Sequence, residues 1–409
     1  MRDGKTNEKE EFEFGERIKS LLSLCSYKYD YETLSSAAKG PINIALIKYW
    51  GKEDEERIIP LNNSISITLD MNECYTYTEA KLIVPTGEGV NSLWLFSKNI
   101  NTLYLNNQQE RLSKRLENLI SYFRDKCENK LLSCCPLIIE SVNKLPTAAG
   151  CASSASSMSC IVKVLSKIFL NDSLNDYQLS ALARIGSGSA CRSIHGGIVE
   201  WHKYNEELKD SLAKQVVDEH YWPELRVLLM IVSDKRKDTS STDGMKTSKE
   251  TSELLKHRLS VILPARIEEM KKGIFERNFE KICELTVKDS NNFHAICRDT
   301  YPTINYLNDT SNFIIKCVEK INSCFGKTMC GYTFDAGPNA FIIVEAGNTK
   351  IIRKIFDYVF NMEAYQATDH ENLNNLIIKL SCEREDLNAK LIRIVEFEMG
   401  SGIQSDSLE

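Results

Sequence analysis

The chain has 409 residues, of which 42% are hydrophobic and 26% are charged, and its formal net charge at pH 7 is −6. This length allows two hydrophobic cores in a globular protein, and the acidic balance argues against a nucleic-acid partner, although small anionic substrates need only a local basic pocket. No apolar run is long enough to cross a bilayer, and the charged first residues lack the apolar centre of a secretory signal, so we expect a cytoplasmic protein without a membrane partner.

Residues 1–33 form an extension of charged and polar residues to which the sequence assigns no role. Alternating apolar residues then predict strands at 42–46, 64–69, 92–96, 102–105 and 137–141. Apolar residues at helical spacing predict a helix over 112–122, a second helix that follows Pro146 and a third that ends near Ile185.

From residue 204 to residue 223 the chain is polar with little periodicity, and we predict a domain junction there. A strand at 225–232 follows, and then helical periodicity over 254–274 that Pro264 should interrupt. Further helices are predicted near 279–285, 303–321 and 350–360, and a strand at 340–345. Strands and helices in both halves indicate an α+β protein with two domains, at 34–210 and 211–400.

The fourteen cysteines are scattered, often inside apolar runs, and no C-x-x-C pair occurs. In a large chain without an export signal this pattern is typical of reduced, buried thiols rather than disulfides. The six histidines show no metal-ligand spacing, so the sequence predicts no structural metal site.

The segment 144–157, KLPTAAGCASSASS, opens with a proline, continues with small residues and ends in hydroxyls where a helix should begin. Such a turn offers unpaired backbone N–H groups and the positive end of a helix dipole, which together suit phosphate. An ordinary loop followed by a serine-capped helix explains this segment equally well.

The segment 43–52, NIALIKYWGK, begins in a predicted strand and carries two lysines four residues apart. Lys48 and Lys52 could neutralise phosphate oxygens, each as a mobile point charge, whereas the alternative is a strand end with solvated lysines. Alternation puts Asn43 and Lys48 on opposite faces of the strand unless a bend intervenes.

The segment 186–197, GSGSACRSIHGG, sets Arg192 among glycines and serines. The planar guanidinium suits bidentate binding of a carboxylate or phosphate, and small neighbours allow close approach. The alternative is a flexible surface loop, but an arginine inside such a frame favours a ligand.

Two shorter segments carry further candidates. In DTSSTDGM, at 238–245, the hydroxyls of Ser240, Ser241 and Thr242 could contact an anion, although helix capping is the better explanation. In YTFDAGPN, at 332–339, Asp335 precedes a turn that would present its carboxylate at a sheet edge. Turn aspartates usually bind their own backbone, but this carboxylate could instead orient a substrate hydroxyl.

Seven segments, taken together and in this order, resemble the mevalonate diphosphate decarboxylases, a family of the GHMP kinase superfamily. The segments are NIALIKYWGK, PLNNSISITL, PTAAGCASSAS, GSGSACRSIHGG, SSTDGM, DSNNFHA and YTFDAGPN. The resemblance covers residues 37–397 and implies an N-terminal domain like domain 2 of ribosomal protein S5, a ferredoxin-like C-terminal domain and a cleft between them. It also implies a homodimer.

The resemblance further implies ATP-dependent decarboxylation of (R)-5-diphosphomevalonate to isopentenyl diphosphate, carbon dioxide, ADP and phosphate, a carboxy-lyase step of the mevalonate pathway towards isoprenoids and sterols. Phosphorylation of the tertiary 3-hydroxyl makes it a leaving group, so its departure can draw the electrons of the C–C bond into the new alkene. Mg²⁺ is expected with ATP, and no metal-binding residue is readable.

By match to the family motifs, Asp335 would orient or deprotonate the hydroxyl, Arg192 would hold the carboxylate and Asn43 would help fix its geometry. Ser154 would meet the ATP phosphates or the transferring phosphoryl group, and Lys48 would stabilise charge near the reacting centre. The expected substrate-binding residues are Tyr49, Trp50, Gly51, Lys52, Arg111, Ser187, Gly188, Ser189, Ala190, Cys191, Arg192, Ser241 and Thr242. The expected ATP-binding residues are Pro146, Ala149, Gly150, Ala152, Ser153 and Ser154.

Two other functions stay open on the sequence alone. A kinase of the superfamily that phosphorylates mevalonate or phosphomevalonate without decarboxylation typically has a more glycine-rich loop where this chain has Ala152, and it lacks the KYWGK and SGSACR segments. A relative that binds a ligand without catalysis is disfavoured by the presence of Asp335, Arg192, Ser154 and Lys48.

Overall fold

A computed structural model describes residues 31–86, 100–144, 153–207, 209–233, 238–364, 366–367 and 371–406. The strand predicted at 92–96 lies outside the described residues, and so do the predicted ATP-binding residues Pro146, Ala149, Gly150 and Ala152. Ser153 begins a helix, but its side chain is also outside the description.

The strands in chain order are β1 (Tyr31–Pro41), β2 (Asn43–Ile47), β3 (Lys52–Asp54), β4 (Ile59–Pro60), β5 (Ser64–Thr68), β6 (Tyr75–Pro85), β7 (Asn101–Leu105), β8 (Gln108–Glu110), β9 (Leu137–Lys144), β10 (Ile198–Asn205), β11 (Asp210–Val217), β12 (Leu225–Ile231), β13 (Cys330–Phe334), β14 (Ala340–Glu345), β15 (Arg393–Glu398) and β16 (Gln404–Asp406). The helices are α1 (Lys114–Lys126), α2 (Lys130–Cys134), α3 (Ser153–Leu170), α4 (Asp176–Gly186), α5 (Ser241–Thr251), α6 (Glu253–His257), α7 (Leu263–Phe275), α8 (Phe279–Asp299), α9 (Asp309–Phe325), α10 (Ala346–Val359) and α11 (Glu371–Asp386). A 3₁₀ segment spans Gly188–Ile194, and a π-helical turn spans Arg258–Ile262.

The strands form three main sheets and one small hairpin. Two sheets are built from strands of the first half, except that β16 comes from the second; their strand orders are β16-β1-β6-β9-β7-β8 and β11-β10-β5-β2, and β3 pairs with β4. The third sheet, β13-β14-β12-β15, belongs to the second half. This mixture of sheets and helices confirms the predicted α+β class.

Three large apolar clusters hold these layers together. One lies between the β1-containing sheet and helices α1, α3 and α4, and a second lies between the β13-containing sheet and helices α9, α10 and α11. The third cluster joins the halves: it contains Ile42 and Leu69 from the first half and Val227, Ile282 and Phe397 from the second.

Most element predictions agree with the structure. The interruption expected at Pro264 is present, because the proline occupies the first turn of α7 directly after the π-helical turn. The polar stretch at 204–223, which showed little periodicity, contains β11, and β11 pairs antiparallel with β10. The division into domains at 34–210 and 211–400 stays a prediction, and its boundary falls inside this hairpin.

None of the described helices has the length and apolar character that crossing a membrane requires.

Candidate active site

The two halves meet at an ion pair between a lysine and an aspartate. Lys48 Nζ lies 2.8 Å from Asp335 Oδ1. The Lys48 side chain is only 3% exposed, whereas that of Asp335 is 43% exposed, so a ligand can reach the carboxylate while the ammonium stays behind it. Burial lowers the pKa of Lys48, and the charge of Asp335 opposes that shift.

A bulge brings Asn43 and Lys48 into the same site. The pairing of β2 with β5 shifts register between Ala45 and Ile47, which adds one residue to β2. Such an insertion reverses the alternation of side chains beyond it. It is therefore the bend that Asn43 and Lys48 need in order to lie on the same face of the strand. The guanidinium of Arg192, which Asn43 contacts, lies near enough to Lys48 to act on its pKa.

Asp335 follows β13 and enters the predicted Ala-Gly-Pro turn. Ser290 on α8 accepts a hydrogen bond from the Phe334 N–H at 3.2 Å, and the Gly337 N–H donates to the Asp335 carbonyl at 2.7 Å. The backbone is thus held on both sides of the aspartate, and its carboxylate pairs with Lys48.

Arg192 is buried in the 3₁₀ segment and is held by polar side chains. Its Nε donates to Asn43 Oδ1 at 3.1 Å, and its Nη1 donates to Ser64 Oγ at 3.1 Å. Asn43 in turn donates to Ser193 Oγ at 2.8 Å and to the Ser189 carbonyl at 3.2 Å. Asn43 thus orients the Arg192 guanidinium, and its expected part in fixing a substrate carboxylate stays a prediction.

Ser154 lies in the first turn of α3, where backbone N–H groups lack partners within the helix. Its hydroxyl is exposed and lies 3.5 Å from the hydroxyl of Ser187, which ends α4. Of the predicted ATP-binding residues, Ser154 thus lies beside Ser187 of the glycine-serine segment, at the start of an 18-residue helix.

The residues of the 3₁₀ segment divide into two groups. Gly188 and Ser189 are half-buried, whereas the side chains of Ala190 and Cys191 are fully buried in apolar clusters. Only main-chain groups of Ala190 and Cys191 can therefore contact a ligand, a restriction that the sequence did not reveal. Tyr49 packs its ring edge-on against Trp201, with centroids 4.5 Å apart, and its hydroxyl is buried without a hydrogen-bond partner among the described residues.

The remaining residues of KYWGK are not solvated, in contrast to the alternative explanation for this segment. The Lys52 side chain is 2% exposed, and its ammonium pairs with the partly exposed Glu55 at 2.7 Å. Trp50 is buried in a cluster with Phe293 and Tyr306, and it donates to Ser248 Oγ at 2.9 Å. The indole of Trp50 thus has structural contacts within the protein.

Two predicted binding regions lie at exposed positions. Ser240 caps α5 by accepting from the Asp243 N–H at 3.1 Å, so the preferred capping interpretation agrees with the structure. Ser241 and Thr242 occupy the first turn of this helix, and Thr242 is exposed. Arg111 is exposed between β8 and α1, and no described hydrogen bond or ion pair joins it to the other predicted residues.

Sequence reasoning missed a buried charge cluster beneath Lys48. Asp289 on α8 is fully buried, and it accepts hydrogen bonds from Arg258, Arg266 and the main-chain N–H of Lys48. Burial acts to raise the pKa of Asp289, but the two arginines and the Lys48 N–H outweigh it and hold the pKa below its usual value.

His294, five residues further along α8, was missed as well. Burial and the nearby Lys48 charge lower its pKa to about 3, so the ring is neutral at physiological pH. Both Asp289 and His294 lie in the DSNNFHA segment, which carried the resemblance without any assigned role. In the part of the chain that the structure describes, no group of three His, Cys, Asp or Glu residues is arranged to hold a metal ion.

Comparison with known proteins gives matches along the chain. Residues 40–213 match the diphosphomevalonate decarboxylase-like N-terminal domain, and residues 227–404 match the mevalonate 5-diphosphate decarboxylase C-terminal domain. The chain is 46% identical to diphosphomevalonate decarboxylase of Danio rerio over 320 residues, which are 76% of each chain.

Solved structures agree with these matches. Mevalonate diphosphate decarboxylase from Trypanosoma brucei superposes with a TM-score of 0.77 at 31% identity, covering 92% of this chain and 98% of the other. A structure described as MDDEF in complex with MVAPP, AMPPCP and magnesium gives a TM-score of 0.72 at 28% identity, covering 92% and 99%.

Proposed function

Because the chain belongs to the diphosphomevalonate decarboxylase family and is an enzyme of that family, we propose that the contact between Lys48 and Asp335 is the centre of its reaction. The 2.8 Å ion pair between these residues supports this proposal most strongly, because it places an accessible carboxylate beside a buried cation at the junction of the halves. The substrates are (R)-5-diphosphomevalonate and ATP, and the products are isopentenyl diphosphate, carbon dioxide, ADP and phosphate.

In the first step, the 3-hydroxyl oxygen of the substrate attacks the γ-phosphorus of ATP. The new O–P bond forms while the bond from the γ-phosphorus to the bridging oxygen of ADP breaks, and Asp335 orients the hydroxyl and accepts its proton. Lys48 holds the carboxylate in place and balances negative charge that gathers at the reacting oxygens.

In the second step, the C3–O bond breaks and inorganic phosphate leaves. The electrons of the bond to the carboxylate carbon form the new C2–C3 double bond, and carbon dioxide is released. Arg192 holds the carboxylate before it leaves; Asn43 and Ser64 fix the guanidinium through hydrogen bonds at 3.1 Å each. A guanidinium suits a carboxylate because its planar nitrogens can donate in parallel.

ATP is proposed to bind at the N-terminus of α3, where Ser154 is exposed and where the first N–H groups of a helix have no acceptor within the helix itself. The substrate diphosphate is proposed to lie near Lys52, Ser187–Ser189 and Thr242. Mg²⁺ usually binds phosphate oxygens, water and one or two carboxylates rather than a dedicated protein cage, so the lack of a cluster of potential ligands among the described residues fits a metal that arrives with the nucleotide. When bound, Mg²⁺ would neutralise phosphate charge.

A coupled assay tests this function directly. The enzyme is supplied with ATP, Mg²⁺ and diphosphomevalonate, and ADP and carbon dioxide are followed together. We expect one carbon dioxide per ADP, because the two steps share one substrate molecule. Formation of ADP without carbon dioxide would support the superfamily kinase instead.

A homodimer and a cytoplasmic location are proposed from the family resemblance. Light scattering at micromolar concentration tests the first, since a dimer has twice the 46.5 kDa mass of the chain. Fluorescence microscopy of the tagged protein tests the second.

A further inference from the structure

The main chain of Lys48 is held by three side chains. Its N–H donates to Asp289 Oδ2 at 2.7 Å. Its carbonyl accepts from Arg258 Nη2 at 3.2 Å and from Asn62 Nδ2 at 3.0 Å. The N–H and the carbonyl of one residue are therefore both fixed by buried side chains, directly after the strand that delivers it.

Arg258 and Asp289 form a bidentate pair. Arg258 Nη1 lies 2.7 Å from Asp289 Oδ1, and Arg258 Nη2 lies 2.9 Å from Asp289 Oδ2. Both side chains are 0% exposed. The arginine comes from the π-helical turn and the aspartate from α8, so two elements of the second half reach the end of β2 in the first.

The burial of this pair indicates a role beyond stability. Two buried charges lose so much hydration that a packed apolar pair of the same volume is often as stable. An apolar pair, however, cannot accept a hydrogen bond from the N–H of a residue and donate another to the carbonyl of the same residue. Such geometry fixes the base of a long, flexible lysine side chain.

We propose that Arg258 and Asp289 are positioning residues that hold the Lys48 backbone so that its ammonium meets Asp335. This inference rests on the role of Lys48 in the proposed function. Neither residue touches the reacting atoms, because both lie behind Lys48 and are closed to solvent.

The Asp289 charge also affects the protonation of Lys48. The charged and titratable groups that face Lys48 are Asp335 after β13, Asp289 and His294 on α8, Arg258 in the π-helical turn and Arg192 in the 3₁₀ segment. Asp335 and Asp289 raise the pKa of the ammonium, whereas Arg192 lowers it. Loss of the Asp289 charge should therefore lower the pKa of Lys48, and activity that needs the ammonium should decline at a lower pH.

Arg258→Lys tests the geometry. A lysine keeps the positive charge, but a single nitrogen cannot bridge Asp289 and the Lys48 carbonyl. We expect kcat to fall by about tenfold or more, since a displacement of about 1 Å can cost roughly 100-fold, while KM for diphosphomevalonate changes by less than about threefold. The control is Arg124→Lys, at a buried arginine that donates to Asn101, Ser133 and Cys135 and to no proposed site residue. Its kcat should stay within about twofold of the parent value.

Asp289→Asn tests the effect of the Asp289 charge on Lys48. It also tests the proposal if the Arg258→Lys variant fails to fold. The alkaline limb of its kcat profile should move to lower pH relative to the parent enzyme. A folded Arg258→Lys enzyme with parental kcat, or an Asp289→Asn enzyme whose alkaline limb does not move, would overturn the proposal. Either result could occur while the parent enzyme still releases carbon dioxide, so it would leave the proposed function intact.

Discussion

Asp335 combines two properties that rarely occur together in a structural ion pair. Its carboxylate is exposed enough to meet a substrate, yet its partner Lys48 is buried and fixed. Asp335→Asn keeps the shape of the side chain and removes the charge and the basic oxygen. We expect kcat to fall by about 100-fold or more, because general-base catalysis typically contributes at least that factor, whereas the Kd for ATP measured by calorimetry should change by less than about threefold.

The chain supplies a matched control for this substitution. Lys163 Nζ and Asp172 Oδ1 lie 2.9 Å apart, so they form a lysine–aspartate pair of similar length at the end of α3. Asp172 has a positive φ of 58°, a conformation that asparagine also tolerates. Asp172→Asn should keep parental activity, and equal losses in the two variants would remove Asp335 from the mechanism.

Arg192 is expected to act on binding more than on the chemical step. Arg192→Lys retains a cation but loses the planar donor set that Asn43 and Ser64 orient. Hydrogen bonds to charged groups contribute about 1.5–3 kcal/mol, so KM for diphosphomevalonate should rise by about tenfold or more in steady-state assays. Arg184→Lys, at another buried arginine that contacts Arg57 and Asp210, is the control. A parental KM for Arg192→Lys would contradict the assigned role.

We expect His294 to make the fold sensitive to acid. Its pKa in the folded protein is about 3, below the ordinary value of 6.5, so the unfolded chain binds the proton first. The stability that comes from the neutral ring is complete above pH 6.5 and is lost as pH falls towards 3. His294→Gln should therefore show a shallower decline of unfolding free energy between pH 7 and pH 4 in urea titrations. Parallel curves for parent and variant would show that this ring titrates normally.

At the scale of elements, apolar periodicity predicts where the chain forms strands and helices, but it does not show which of them meet. β2, β5, β12 and β14 all lie at predicted positions. The pairing of Lys48 with Asp335 joins residues 287 positions apart, and no local pattern encodes that distance. The bulge in β2 is equally hidden, because Leu46 continues the apolar run that a regular strand would have.

The buried charges of Asp289 and Arg258 are visible in the sequence as charged residues at apolar positions of a helical pattern. Asp289 lies on the apolar face of α8, seven residues after Ile282 and four before Phe293. A residue on this face points into the core, so an aspartate there is not solvated. Arg258 likewise lies among the apolar residues of the 254–274 run. A charged residue in phase with a core-facing stripe predicts a buried partner of opposite charge, although it cannot name that partner.

The turn between β2 and β3 depends on one glycine. Gly51 has a φ of 88°, and a Cβ there would lie 2.5 Å from Leu61 Cδ1. Gly51→Ala should lower the unfolding free energy by about 1–3 kcal/mol in urea, through backbone strain and this clash. Gly326→Ala is the control, since Gly326 has a φ of 64° but nothing within 4 Å of an added Cβ. An equal loss in both variants would show that backbone strain alone explains the effect.

At the scale of the whole molecule, the halves that the sequence separates share one core. The cluster with Ile42 and Phe397 spans both halves, Leu69 bridges to Met399, and β16 near the C-terminal end pairs with β1. Composition along the chain predicts a junction because the 204–223 stretch is polar, but it cannot reveal that the last strand returns to the first sheet. Ile47, directly before Lys48, belongs to this shared core, so the packing between the halves bears on the position of Lys48.

This shared core predicts that the chain unfolds as one unit. Phe356 is buried in the cluster of the second half alone, and Phe356→Ala should cost about 3–5 kcal/mol. If the halves are coupled, the midpoint in urea should fall equally for amides of β6 in the first half and of β14 in the second, measured by hydrogen exchange. A midpoint that falls only for β14 would show that the halves unfold separately. Equal shifts would mean that a core substitution far from Lys48 and Asp335 affects this ion pair through the global unfolding equilibrium.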